Sequence, residues 1–240
     1  MPKIIYENIA VSLKRADDTL ADLLQEYEQS LHAQTVSVKA KQLTHEICTM
    51  LRRTLDRTAR RYWGKYIAPH LTDEDKKAAK TYFPIAPDKG GLDSILGRWR
   101  WKSVRNDHNA VYEYLLAQQA FKEDKNNWLP VLRDLANQEH IDLVPQKRHE
   151  ARQITVTGAG GGTVSWGSGV TFGSGVSVMG APIDPRTQRI VPTPDVTEKI
   201  ENWVSFIIDG HGVNAAGFCK EACEGTRRIV QEMTDNFDLS

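Results

Sequence analysis

The segment Arg133-Asp134-Leu-Ala-Asn137-Gln-Glu139-His140 places an arginine, a carboxylate and an imidazole on one short stretch. Seven positions are nearly two turns of an α-helix, so Arg133 and His140 project from one face, about 10 Å apart along the axis. An imidazole moves a proton near neutral pH, and a guanidinium holds a phosphate through two parallel hydrogen bonds. Cleavage of RNA without a metal requires both functions. The same residues also suit a surface arginine and a histidine stabilised by the dipole at a helix C-terminus. Spacing alone leaves both readings open.

Two further groups of cations have spacing that suits an anion. Arg53, Arg57 and Arg61 recur at i, i+4 and i+8, with Arg52, Arg60 and Lys65 beside them. Between Lys39 and Lys65 there are eight Lys or Arg against Glu46 and Asp56. Such a strip can neutralise phosphates, or it can be a solvated face paired with an acidic first helix that carries Asp17, Asp18, Asp22 and Glu26. Arg98-Trp99-Arg100-Trp101-Lys102-Ser103-Val104-Arg105 interleaves cations with indoles. Arg98, Arg100 and Arg105 can grip phosphates while the indoles stack on bases, each stack contributing about 1–3 kcal/mol in single-strand binders. Two core tryptophans with outward-pointing neighbours would give the same string.

The elements that must position these residues follow from periodicity. Apolar spacings of three, four and seven predict a long helix over 3–31 (Ile9, Leu13, Leu20, Leu24, Tyr27, Leu31) and another over 36–67 (Leu43, Ile47, Leu51, Leu55, Tyr62, Tyr66). The short join makes them an antiparallel hairpin. Thr72 followed by Asp73-Glu74-Asp75 opens a short helix by capping. Helices are predicted over 107–121 and 126–140, with Pro130 acceptable in a first turn. After residue 150 the texture changes. ITVT, TVSW, VTF and VSVM are short β-favouring runs cut by glycine, and strands are predicted near Arg189–Val191 and Ile200–Ile208. An amphipathic helix over Val213–Met233 must then dock its face of Ala216, Cys219, Cys223, Val230 and Met233. The expected fold class is α+β: an N-terminal antiparallel helical bundle (1–150), then a small Gly-rich antiparallel β subdomain with a C-terminal amphipathic helix packing back (151–240).

Several function classes lack their signatures. The chain contains no Gly-x-Ser-x-Gly, Walker loop, His-Glu-x-x-His or Cys-x-x-Cys. Gly158 to Gly162 lead into another strand rather than a helix, so they are turn glycines and no nucleotide loop. Cys219 and Cys223, with His211 nearby, lack a further metal ligand and read as small core side chains. No metal and no cofactor is expected. The 240 residues balance 31 cationic against 31 acidic side chains, so attraction for a polyanion must come from a local patch. Three cysteines suit a reducing compartment, and no apolar run is long enough to span a membrane, so a cytoplasmic location without membrane contact is expected.

At Arg133, Asp134 and His140 the chain resembles the HEPN superfamily of helical bundles, many of whose members are RNases carrying Arg, four to six residues, then His near a helix end. The two long opening helices, the Arg-rich LRRTLDRTARRYW and the Phe83-Pro84-Ile85 loop are similar to that layout as it occurs in uncharacterised bacterial proteins. The resemblance covers residues 1–150. It implies a metal-independent endoribonuclease or RNA-binding protein acting in phage defence or a toxin pair. Arg133 and His140 of two subunits would meet across a homodimer interface, with Asp134 orienting the pair. The alternative from another class is a non-catalytic dimeric module that senses a ligand or a protein partner.

Overall fold

In the computed structural model, which describes residues 6–33, 37–101, 103–137, 149–167, 169–205, 207–208 and 210–239, helices come first, small sheets follow, and a final helix packs back on the first ones. The α+β expectation holds. Helix α1 (Glu7–Ala33) buries Ile9, Leu13, Ala16 and Leu23; of the predicted stripe Ile9 and Leu13 are buried and Leu20 and Tyr27 half-buried, while Leu24 is exposed and Leu23 takes its place in the core. Helix α2 (Val38–Tyr62) begins where Ser37 Oγ accepts the Ala40 N–H at 3.0 Å, and it buries Ile47, Cys48, Leu51, Leu55 and Tyr62. The two form an antiparallel hairpin. Lys39 and Glu26 form an ion pair beside their join at 3.2 Å. Leu31 lies where no side chain is described.

Thr72 caps α3 (Asp73–Ala78), its Oγ1 accepting from the Asp75 N–H. Asp88 caps α4 (Lys89–Arg98) through the Gly91 N–H at 2.7 Å. Helices α5 (Ser103–Asp107), α6 (Asn109–Ala117) and α7 (Trp128–Asn137) follow, with Pro130 in the first turn of α7, where an N–H has no partner within the helix.

The β part has its own small core of Ile154, Val156, Trp166, Ala181, Ile183 and Ile190. Strands β1 (His149–Gly158), β2 (Thr163–Gly167) and β6 (Val196–Ser205) form an antiparallel sheet in the order β2-β1-β6, which sets Ile154 against Trp166 on one side and Ile200 on the other. Strands β3 (Ser177–Val178), β4 (Ala181–Asp184) and β5 (Arg189–Ile190) form a second antiparallel set, and β7 (Ile207–Ile208) pairs with β8 (Val213–Asn214). Residues 170–172, predicted as a strand, are not one. The side-chain amide of Gln188 replaces a neighbouring strand there. It accepts from the Phe172 N–H at 2.7 Å and donates to Phe172 O at 3.1 Å, while the Phe172 ring packs edge-on against Trp166.

Asn214 Oδ1 caps α8 (Ala215–Phe237) by accepting from the Gly217 N–H. The helix belongs by its contacts to the helical core, where Cys219, Cys223, Ile229 and Met233 join residues of α2 and α7. Cys48, Cys219 and Cys223 are buried there, and burial pushes the Cys223 thiol up to about 12. They are core residues, not reactive ones. A polar seam ties α8 to the chain before α7: Arg228 Nη2 donates to buried Asn126 at 2.6 Å, Arg228 Nη1 donates to Gln118 at 3.1 Å, and the Tyr114 hydroxyl donates to Glu232 at 2.9 Å. Arg227 pairs with Asp17 of α1. Among the described residues no helix is long and apolar enough to cross a membrane.

Candidate nucleic-acid interface

Helix α2 presents Thr49, Arg52, Arg53 and Asp56 at i, i+3, i+4 and i+7, one face of the helix. That face is one wall of a cleft of about 680 Å³. The segment 82–85 and the end of α4 supply Tyr82, Phe83, Ile85, Ile95, Arg98 and Trp99, and the end of α7 supplies Arg133, Ala136 and Asn137. Among the described residues, four arginines thus line one concave surface beside a single carboxylate.

Arg52 is the most fixed of the four. Its Nη2 donates to Phe83 O at 3.0 Å and pairs with Asp56 Oδ1 at 3.0 Å, and the same Asp56 oxygen accepts the Phe83 N–H at 2.8 Å. Burial lowers the Arg52 pKa and the nearby Arg133 charge adds to that, while Asp56 acts in the opposite direction. Burial likewise raises the Asp56 carboxyl against the pull of Arg52 and the Phe83 N–H. For both partners desolvation outweighs pairing. The guanidinium nevertheless stays charged, because its ordinary value lies far above neutrality. Arg133 directs Nε and Nη2 at one oxygen of Asp134, each at 2.8 Å, so the carboxylate does orient the arginine. Tyr82, which is exposed, and half-buried Trp99 meet edge to face at 5.7 Å on the cleft's side.

The arginines singled out by spacing separate into two sets. Arg53, Arg98 and Arg133 converge on the cleft. Arg57 donates to Ser12 of α1 at 2.8 Å, and the Arg61 guanidinium stacks 3.4 Å above the Tyr6 ring, so both belong to the seam with α1. Helical geometry explains the split, since residues eight apart are rotated by about 80° around the axis. Arg60 is exposed and lines no part of the cleft. Arg100 pairs with Asp75 at 3.1 Å, and Arg105 pairs with Asp93 and covers the Tyr112 ring. His140 lies outside the described residues, three positions beyond Asn137, which lines the cleft.

Arg98 and Trp99 part from their neighbours because α4 ends in a left-handed turn. Arg100 sits at φ 65° in the place glycine usually takes, with its N–H donating to Gly97 O at 3.4 Å and the Trp101 N–H donating to Leu96 O at 2.8 Å. This reversal sends Trp101 into the core, where its Nε1 donates to Lys80 O at 2.9 Å, and leaves Trp99 at the cleft. Trp101 is thus a core tryptophan, whereas Trp99 is half-buried, packs against the core and lines the cleft.

Thr49, Arg52, Asp56 and Tyr82 are cleft residues that the sequence reading did not single out as a site. For Thr49, Arg52 and Asp56 the signal was present in α2 as an i, i+3, i+4, i+7 set, completed by Arg53, with an arginine and an acid four apart. An arginine-lined cleft with aromatic side walls suits a ligand that is anionic and flat in alternate parts. No protein-family model matches the chain, and neither a curated protein nor a solved structure is significantly similar to it.

Proposed function

We propose that this protein binds single-stranded RNA in the arginine cleft between α2, α4 and α7. The convergence of Arg53, Arg98 and Arg133 beside Tyr82 and Trp99 carries the reading, because it joins phosphate-binding forks to surfaces on which unstacked bases rest. A duplex is too wide for a cleft of about 680 Å³, whereas bases of a single strand can turn into it. The arginines on the α1 seam take no part.

Anisotropy of a labelled RNA at two salt concentrations tests the proposal. Arg53→Glu and Arg98→Glu should each weaken binding about tenfold or more, the scale of one lost charge-assisted hydrogen bond, and flatten the salt dependence by about 0.7 per phosphate released. Arg57→Glu should change affinity by less than about twofold. Equal affinity of wild type and Arg98→Glu removes the cleft from RNA binding.

The catalytic form of the proposal assigns cleavage to Arg133 and His140, with Asp134 holding the arginine's fork. Arg133 contacts the phosphate and His140 transfers the proton. His140→Ala is expected to abolish cutting in the presence of a chelator while binding survives. Undiminished cutting by that variant removes His140 from the chemistry, and no cutting by the wild type leaves a binding protein without this activity.

A further inference from the structure

We infer that the inner wall of the cleft is a subsite for a phosphate monoester carried by a nucleotide, either a free mononucleotide or the phosphorylated end of an RNA strand. The inference rests on the reading of the cleft as a nucleotide site.

Arg52 is locked before any ligand arrives, since Nη2 is taken up by Phe83 O and Asp56. Among the described residues its buried Nη1 has no hydrogen-bond partner. Thr49 Oγ1, one turn earlier on the same helix face, is in the same condition. Buried polar atoms without partners are uncommon because each one loses its hydration with nothing in return. Two of them side by side in the wall of one cleft mark a place that an oxygen-rich group would satisfy. Thr49 and Arg52 line the cleft together with the exposed Arg53 and Arg98.

Charge and shape favour a monoester over the internal diester of a strand. A diester carries one charge and two free oxygens, with ester links on both sides. A monoester carries about −1.5 to −2 at pH 7 and offers three acceptor oxygens. Among the described residues four arginines line the cleft, and the carboxylate of Asp56 that lines it with them is already bound by Arg52. The adjoining Tyr82 and Trp99 then receive the first base.

Calorimetric titrations with AMP, adenosine and three RNAs of one sequence test this: a strand phosphorylated at both ends, a strand with hydroxyl ends, and a closed circle. AMP is expected to bind at least tenfold more tightly than adenosine, and the phosphorylated strand at least tenfold more tightly than the other two RNAs. Thr49→Val, which keeps the shape of the side chain, and Arg52→Lys should each reduce those preferences to about twofold. Melting curves establish that both variants are folded, and Thr49→Val carries the test if Arg52→Lys is not. Tight AMP binding without strand-end preference assigns the subsite to free nucleotides. Equal binding of AMP and adenosine, together with equal binding of circle and phosphorylated strand, overturns the subsite but leaves RNA binding in place. Failure of every RNA to bind while AMP binds tightly removes the RNA reading and keeps the subsite.

Discussion

Ending the chain after Gly212 should abolish cooperative unfolding and yield insoluble or molten protein. Helix α8 buries Phe218, Ile229, Val230 and Met233 together with Cys219 and Cys223. Four large apolar side chains at about 1.5–3 kcal/mol each amount to roughly 6–12 kcal/mol, the size of a whole domain's net stability. The deletion also uncovers the faces of α1, α2 and α7 that α8 covers, and it leaves buried Asn126 without the Arg228 donor. Circular dichroism melts of the truncated and full chains decide the matter. A sharp transition within a few degrees of the full chain's would mean that the helical core closes without α8.

Gly225→Ala is expected to cost about 3 kcal/mol or more, the upper end of what overpacking does, and to lower Tm by about 10 °C. A Cβ at this position would lie 2.6 Å from Trp128 Nε1 and closer still to other atoms of the ring. The ring cannot step aside, since Trp128 is buried at 2% exposure in the first turn of α7. The glycine is therefore required for close approach of two helices, and its backbone angle is not the reason. Trp128→Phe in the alanine background should recover part of the loss, because the smaller ring frees the space the methyl needs. A melt of Gly225→Ala within about 2 °C of wild type would show that α7 and α8 separate without cost.

Much of the helical part was legible in the sequence because its apolar positions recur with the period of a helix, and Thr72 and the Pro130 turn mark two of the starts. The C-terminal helix was legible for the same reason. Residues 170–172 were misread because a β-favouring composition says nothing about a side chain, here Gln188, that takes over the hydrogen bonds of a strand. The end of α4 was obscure because an arginine stands where glycine normally announces a left-handed turn. In the cleft, Arg53, Arg98 and Arg133 were legible as chemical types, but their meeting depends on the path of residues 82–88, a segment with two prolines and no periodic signal. The strip Arg53-Arg57-Arg61 was too simple a reading, since an i+4 ladder winds slowly off any one face of a helix.

The contact between Arg227 and Asp17 joins residues 210 positions apart. During synthesis α1 and α2 emerge long before α8, and in the interval their apolar faces have no cover. Folding of the helical core is thus a late event that waits for all the β segments to be made, and its rate is set by closing a very long loop instead of by forming any helix. A nascent chain stalled before α8 is the state in which this protein most needs a chaperone.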